Sequence, residues 1–185
     1  MIPEVDAPDP SPDLDVWLPA PAVRVAHSRQ SGASPPQLWA AARSVRLGDT
    51  RMLGRLIRWR IPGTAADISF DELFREEPFM VLDDGDGGLV SGLVGRIWSL
   101  RRDYPDLETE HEYLEWSRPG TAKVLFANWV EATAHGSTLR SETRVEAFGV
   151  QGRIGLAGVR PLIRAFQQLI WSDAMAAAVR RAEAG

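Results

Sequence analysis

The sequence contains no cysteine and a single lysine, Lys123. The lack of thiols excludes disulfides, thiolate nucleophiles, iron–sulfur clusters and cysteine-based zinc sites. No apolar run approaches the roughly 18 residues of a membrane-spanning helix, so stable membrane insertion is not expected. The first residues are acidic and proline-rich, whereas a secretory signal begins with basic and then apolar residues. We therefore expect a cytoplasmic protein.

The 185 residues have the composition of one folded domain, with 44% hydrophobic and 25% charged residues. Five of the 25 acidic residues precede the first basic residue, Arg24, and the remaining 20 nearly balance the 21 basic residues. We therefore predict an acidic, proline-rich tail over 1–20 and a single domain over 21–185. A nearly neutral body argues against nucleic acid as a partner.

The first half of the domain predicts one strand followed by helices. Residues 22–31 alternate weakly and predict a strand. Ser34 is placed to cap a helix that begins at Pro35, and apolar residues at helical spacing predict a second helix over 51–60. SFDE at 69–72 has the spacing of a capping box and predicts a further short helix.

The second half predicts antiparallel strands and then a long helix. One hairpin joins 79–82 to 89–100, and a second joins 121–133 to 137–148. In the last strand Arg140, Glu142, Arg144 and Glu146 alternate with smaller or apolar residues, which predicts one solvated and one covered face. The chain closes with a predicted helix over 160–183 that begins near Pro161, and Gly152, Gly155 and Gly158 fall in a predicted loop before it.

Several segments resemble the SRPBCC superfamily, which includes Bet v 1-like proteins, START domains and polyketide cyclases. ASPPQLWAA (33–41) resembles the pattern that opens the first helix of the family. GLVGRIW (92–98), PGTAK (119–123) and LRSETRV (139–145) are similar to segments of a bacterial branch whose members have no assigned activity. The chain departs from the family in having five clear strands instead of seven.

The resemblance implies an α+β helix-grip fold, in which a curved antiparallel sheet wraps around a long C-terminal helix and two short helices follow the first strand. Members of the superfamily bind sterols, lipids, polyketides or plant metabolites between the sheet and this helix, and a minority catalyse cyclisation or hydration there. The resemblance does not identify the ligand, and it implies no cofactor.

The strand patterns predict which residues face such a pocket. The charges on 139–147 must point outward, so Ser141 and Thr143 point inward. On the preceding strand Lys123 and Glu131 mark the outward set, which places Val124, Phe126 and Asn128 inside. Phe166 and Ile170 belong to the apolar stripe of the long helix and complete the predicted lining.

Two polar residues are candidate ligand anchors. Asn128 would orient a ligand, or it would be a core amide bonded to Thr143 or to the backbone. Arg96 and Trp98 share a predicted face with Val90, and an inward Arg96 would bind a ligand carboxylate or an internal acid such as Asp173 on the long helix. Alternatively, Arg96 forms a structural pair with an acid at the pocket mouth or points outward.

The remaining candidates for chemistry are weak. His27 and Asp173 are the only acid–base residues that we would name, and no orienting partner can be assigned to either. His111 follows Glu108 at the spacing of a metal-binding pair, but no second pair accompanies it, so no metal site is predicted. Arg51, Arg55 and Arg58 form a basic stripe, which is either a solvated helix face or a contact for anionic lipid headgroups.

Three functions are compatible with this pattern. The favoured hypothesis is a non-catalytic carrier or sensor that holds a hydrophobic small molecule such as a lipid or polyketide. The alternative is an enzyme similar to a polyketide cyclase or hydratase that uses the same pocket. The third is a partner-binding module whose interior is filled by its seven tryptophans and six phenylalanines. The oligomeric state cannot be predicted.

Overall fold

The chain folds around one antiparallel sheet in a computed structural model that describes residues 11–50, 52–60, 63–99 and 103–184. The sheet has the strand order β1-β5-β4-β3-β2, and every neighbouring pair is antiparallel. Its strands are β1 (Val23–Ser31), β2 (Met80–Gly85), β3 (Gly88–Gly95), β4 (Ala122–Thr133) and β5 (Gly136–Ala147).

The helices include a long C-terminal one, and two more follow the first strand. They are α1 (Leu14–Trp17), α2 (Pro35–Ser44), α3 (Leu53–Arg60), α4 (Phe70–Leu73), α5 (Glu110–Glu115), α6 (Gly149–Leu169) and α7 (Ala176–Ala184). A short 3-10 turn, Leu47–Asp49, lies between α2 and α3, and a π-helical segment, Ile170–Met175, joins α6 to α7. The α+β helix-grip prediction is therefore confirmed.

Local sequence signals account for the starts of the short helices. Ser69 and Glu72 form the predicted capping box: the Ser69 amide donates to the Glu72 carboxylate (2.8 Å), and the Glu72 amide donates to the Ser69 hydroxyl (3.1 Å). At α2 the amide of Ser34 donates to the side-chain oxygen of Gln37 (3.1 Å), and Pro35 occupies the first helical position.

The long helix begins at Gly149, so the prediction of a loop over the glycines and a start near Pro161 is wrong. Pro161 lies inside α6, and the three glycines are helical. Packing outweighs the low helix propensity of glycine here, because a Cβ at Gly155 would collide with the indole of Trp98. The glycine thus allows α6 to approach that side chain closely.

The two faces of the sheet are covered by different parts of the chain. Thr143 and its cross-strand neighbours Val25 and Phe126 are on the inner face, where Thr143 contacts Gln167 of α6. Residues 11–18 and α5 cover the outer face, where Leu14, Leu18 and Tyr113 pack on the sheet. Residues 14–17 form a helical turn, although the composition predicts an acidic, proline-rich tail over 1–20.

The charged residues of β5 point outward as predicted, but two of them are not solvated. Glu142 and Arg144 are only 4% and 5% exposed, so the prediction of a solvated outer face is wrong at these positions. Arg144 donates to Glu142 (2.6 Å) and to the carbonyl of Leu18 (2.9 Å), and it also pairs with Asp15. The cover comes from residues about 125 positions earlier in the chain, which periodicity within β5 could not reveal.

In the part of the chain that the structure describes, no helix combines the length and the apolar character needed to cross a bilayer.

Candidate functional site

An apolar cavity of about 160 Å³ lies between the inner face of the sheet and α6. Its wall is formed by α3, the α4–β2 region, strands β3 to β5, the segment after β3, and α6. The lining residues are Leu56, Ile57, Trp59, Leu73, Phe74, Pro78, Phe79, Leu93, Ile97, Tyr104, Val124, Phe126, Thr143, Val145, Val159, Leu162, Ile163 and Phe166. None of them carries a charge at neutral pH. We call this space the sheet–helix cavity.

A second, smaller cavity of about 60 Å³ lies beside the sheet–helix cavity. Phe74 lines both, and its ring lies 5.3 Å from that of Phe126, centroid to centroid. Phe79 packs edge-on against both rings, at 5.1 and 5.7 Å. These three rings form an aromatic partition at geometries that favour aromatic pairs. Part of the interior is thus filled by aromatic side chains, while the space beside them remains open.

Four of the residues predicted to face a pocket line the sheet–helix cavity. Val124 and Phe126 contribute from β4, Thr143 from β5 and Phe166 from α6. The strand assignments succeed because each strand has a face that carries charges and a face that does not. The structure therefore brings these four side chains together.

Three further predicted residues lie on the inner face but outside the sheet–helix cavity. Asn128 and Ile170 line the smaller cavity. Ser141 is buried opposite Asn128 in the strand register and is not among the residues that line either cavity. The Asn128 side chain makes no hydrogen bond to another described residue, and Thr143 is bonded to Gln167 instead.

Gln167 is a buried polar residue that the sequence analysis missed. It is fully buried on α6, and its amide nitrogen donates to the Thr143 hydroxyl. Its side-chain oxygen has no hydrogen-bond partner among the described residues, and neither has the hydroxyl of Ser91 on β3. A buried polar atom without a partner is costly in free energy, so the inner face holds polar groups that its own neighbours do not satisfy.

The predicted inward placement of Arg96 and Trp98 is wrong. β3 ends at Gly95, whose φ of 137° breaks the alternation, and Val90 and Val94 face outward. Arg96 is half exposed and pairs with Asp103 (3.4 Å), not with Asp173. Trp98 packs over Gly155 beside the cavity without lining it.

His27 and Asp173 are not joined by a hydrogen bond or an ion pair. His27 is half-buried on β1 beside Trp171 (6.3 Å between ring centroids), and burial lowers its pKa from the ordinary value. Its Nε2 has no partner among the described residues. Asp173 accepts a hydrogen bond from the backbone amide of Met52 (3.3 Å). Neither residue is among those that line the two cavities.

The structure describes the remaining candidate residues of the sequence analysis except Arg51. Of the basic stripe, Arg55 and Arg58 are exposed on α3, and Arg51 lies outside the described residues. His111 pairs with Glu115 (3.3 Å) on the exposed side of α5. Within the described ranges, no three His, Asp or Glu side chains are grouped so as to hold a metal ion.

An open polar depression of about 850 Å³ lies outside the domain core, between the end of α2 and α4. It is lined by Arg46, Ser69, Glu72 and the glutamates that follow α4, among others. Ser69 and Glu72 are engaged in the capping box, and Arg46 lies at the cap of the 3-10 turn. These polar groups are occupied in ending and starting helices, so the apolar cavity is the better candidate site.

Much of the cavity wall comes from elements whose position the sequence does not reveal. Leu56, Ile57 and Trp59 belong to a predicted amphipathic helix, but its packing partner could not be predicted. On β3 the inward residues are Leu89 and Leu93, and their outward neighbours are equally apolar. Alternation therefore carries no signal for that strand.

Comparisons with known proteins found similar solved structures at low sequence identity. No family model matches the chain, and no curated protein matches it. A hypothetical protein from Helicobacter pylori is 12% identical, with a TM-score of 0.40, over 90% of this chain and 92% of its own. The Zhui aromatase/cyclase from Streptomyces sp. R1128 is 14% identical, with a TM-score of 0.36, over 86% and 94%.

A third solved structure, of a protein from Mesorhizobium loti, is 16% identical, with a TM-score of 0.35, over 85% of this chain and 98% of its own. The helix-grip assignment rests on the element order and strand register of this chain itself.

Proposed function

We propose that the protein binds a small hydrophobic molecule in the sheet–helix cavity and acts as a carrier or sensor for it. The observation that carries the proposal is the cavity itself, whose wall is apolar apart from Thr143, Tyr104 and the indole of Trp59. Uncharged walls with few polar groups are typical of sites that recognise a ligand mainly by burying its surface.

The volume of the sheet–helix cavity is sufficient for a small ligand or for part of a larger one. An engineered apolar cavity of about 150 Å³ stays dry and binds benzene or xenon. The sheet–helix cavity has nearly the same volume, so it accommodates about one ring or a short acyl segment. The aromatic partition formed by Phe74, Phe79 and Phe126 limits the ligand on one side.

The test uses fluorobenzene as the probe, because it is neutral, apolar and has a single ring. We expect its ¹⁹F resonance to broaden and shift when the protein is added. We also expect native mass spectrometry of protein purified without added ligand to show a bound hydrophobic molecule. If neither signal is seen, the cavity is a packing defect and the proposal fails.

A matched pair of variants locates the binding. Val159→Phe places a larger side chain in the cavity wall and should weaken fluorobenzene binding at least about tenfold, because it removes the space that the probe occupies. Val150→Phe makes the same change on the same helix at a position that is 72% exposed, and should leave binding unchanged. Equal binding by both variants would place the probe elsewhere, and melting temperatures check that both remain folded.

A further inference from the structure

Two segments beside the sheet–helix cavity carry basic residues and no acidic ones. Residues 51–66, which contain α3, and residues 147–172, which contain α6, together hold seven arginines and no aspartate or glutamate. The whole chain has a net charge of −4, so positive charge is concentrated on these two segments.

The cavity meets the surface between the same two helices. Trp59 of α3 and Leu162 of α6 both line the cavity, yet they are 61% and 45% exposed. Residues that line a cavity and are also exposed mark its mouth. The other six tryptophans are buried or half-buried, so the exposure of Trp59 is specific to this place. Ile154 extends the exposed apolar surface along α6.

Arginines of α3 flank this apolar mouth. Arg55, one turn before Trp59, and Arg58 are both exposed. Neither forms an ion pair with another residue in the described ranges, although Arg58 donates to the carbonyl of Gly54 (3.2 Å). Arg160 and Arg164 are exposed two positions from Leu162, which places them on the opposite side of α6. We call Trp59, Ile154, Leu162, Arg55 and Arg58 the docking surface.

We propose that the docking surface binds reversibly to an anionic lipid bilayer. Tryptophan with neighbouring aliphatic residues favours the interface between headgroups and acyl chains. Each basic residue near an anionic membrane surface adds roughly 1 kcal/mol of attraction, which corresponds to about fivefold in affinity. A nucleic acid would use the arginines but would gain little from Leu162 and Ile154, so a lipid surface fits the whole set better. The proposal does not depend on which molecule occupies the cavity.

The first experiment is vesicle flotation with two lipid compositions. We expect the protein to float with vesicles that contain phosphatidylserine and phosphatidylcholine, and not with phosphatidylcholine alone. The double substitution R55E/R58E should weaken this binding at least about tenfold, because it reverses two charges of the docking surface. The variant R118E/R180E changes the net charge equally at exposed sites elsewhere and should bind within about twofold of the parent protein.

The second experiment tests the apolar part of the docking surface. Brominated phosphatidylcholine in the anionic vesicles should quench the fluorescence of Trp59, and the Trp59→Phe variant should lose that quenching while it still floats. Leu162→Asp should weaken flotation, since it places a charge among the acyl chains. Quenching that survives in Trp59→Phe would overturn the proposed geometry.

Three outcomes would overturn the membrane proposal: no flotation with anionic vesicles, equal loss in R55E/R58E and R118E/R180E, or no effect of Leu162→Asp. The last would show simple polyanion binding. Fluorobenzene binding is measured on the same samples, and R55E/R58E should retain it because neither arginine lines the cavity. Loss of flotation with retained probe binding separates a failure of this proposal from a failure of the proposed function.

Discussion

The inner and outer faces of the sheet differ in whether their buried polar groups have partners. On the outer face Arg144 is buried, and its charge is matched by Glu142, Asp15 and the carbonyl of Leu18. On the inner face the buried side-chain oxygen of Gln167 and the hydroxyl of Ser91 have no partner among the described residues. The outer face is closed and internally satisfied, whereas the inner face keeps both space and unsatisfied polar groups.

This difference bears on function because the same strands carry paired polar groups on their outer face and unpaired ones, among the described residues, on their inner face. Buried charges that are fully paired restrict a structure to one arrangement, and their loss is costly. Cavities and unpaired polar atoms reduce stability, and the two cavities and the unpaired buried polar atoms of the described residues lie on the inner face, which marks that face as the candidate site. The comparison predicts that the paired polar groups of the outer face are needed for stability and that the unpaired ones of the inner face are dispensable.

The largest effect is expected from Arg144→Met on the outer face. The substitution leaves Glu142 buried with only the solvent-exposed Arg24 as a partner, so the free energy of unfolding should fall by about 3 kcal/mol or more. Urea unfolding followed by circular dichroism measures the change. Arg24→Met removes the other partner of the same carboxylate, but Arg24 is 60% exposed, and its loss should cost about 1 kcal/mol or less. If both variants lost the same free energy of unfolding, the proposed importance of the buried charge pairing on the outer face would be refuted.

Loss of a side chain that covers the outer face should lower the stability nearly as much. Leu18 is completely buried against the sheet, so Leu18→Ala should lower the free energy of unfolding by about 2–4 kcal/mol through a lost side chain and a new cavity. Val16→Ala, two residues earlier at a position that is 59% exposed, should change it by less than about 0.5 kcal/mol. A small effect of Leu18→Ala would mean that residues 11–18 do not hold the outer face closed.

The inner face of β4 and β5 could be predicted, because charges occupy alternate positions of both strands. Arg144 points away from α6 and Thr143 toward it, as the pattern of β5 predicts. The burial of Arg144 could not be predicted in the same way. Its cover is the segment before β1, and a local pattern holds no information about a distant segment that folds over it.

The long helix and β3 show two other limits of sequence reasoning. Glycines at three positions and Pro161 normally indicate a loop, but α6 passes through all four because tertiary packing holds it. β3 has apolar residues on both faces, so periodicity could not assign them, and Gly95 ends the strand one residue before Arg96. The sequence therefore predicted four residues of the cavity wall, but it did not predict that α3 contributes to that wall or that Phe126 packs against Phe74 and Phe79.

On the inner face, removal of a polar group should stabilise the protein. Ser91 is buried and its hydroxyl has no partner in the described part of the chain, so Ser91→Ala should raise the free energy of unfolding by about 0.5–1 kcal/mol. Ser137→Ala is the matched control, because the buried Ser137 hydroxyl donates to the carbonyl of Ala33 (2.7 Å). That substitution should cost about 1 kcal/mol. A loss of stability in Ser91→Ala would show that the hydroxyl is satisfied.

The smallest effect concerns His27 on the inner face, whose Nε2 has no hydrogen-bond partner within the described ranges. Burial lowers the pKa of His27 in the folded state below its ordinary value, so the folded protein binds a proton less readily than the unfolded chain. Its contribution to stability is full above the unfolded pKa, about 6.5, and is lost as the pH falls through the folded pKa. Urea unfolding between about pH 8 and pH 5, above the range where carboxylates titrate, measures the slope. His27→Gln should flatten the slope, and a slope that this substitution leaves unchanged would exclude His27 as its source.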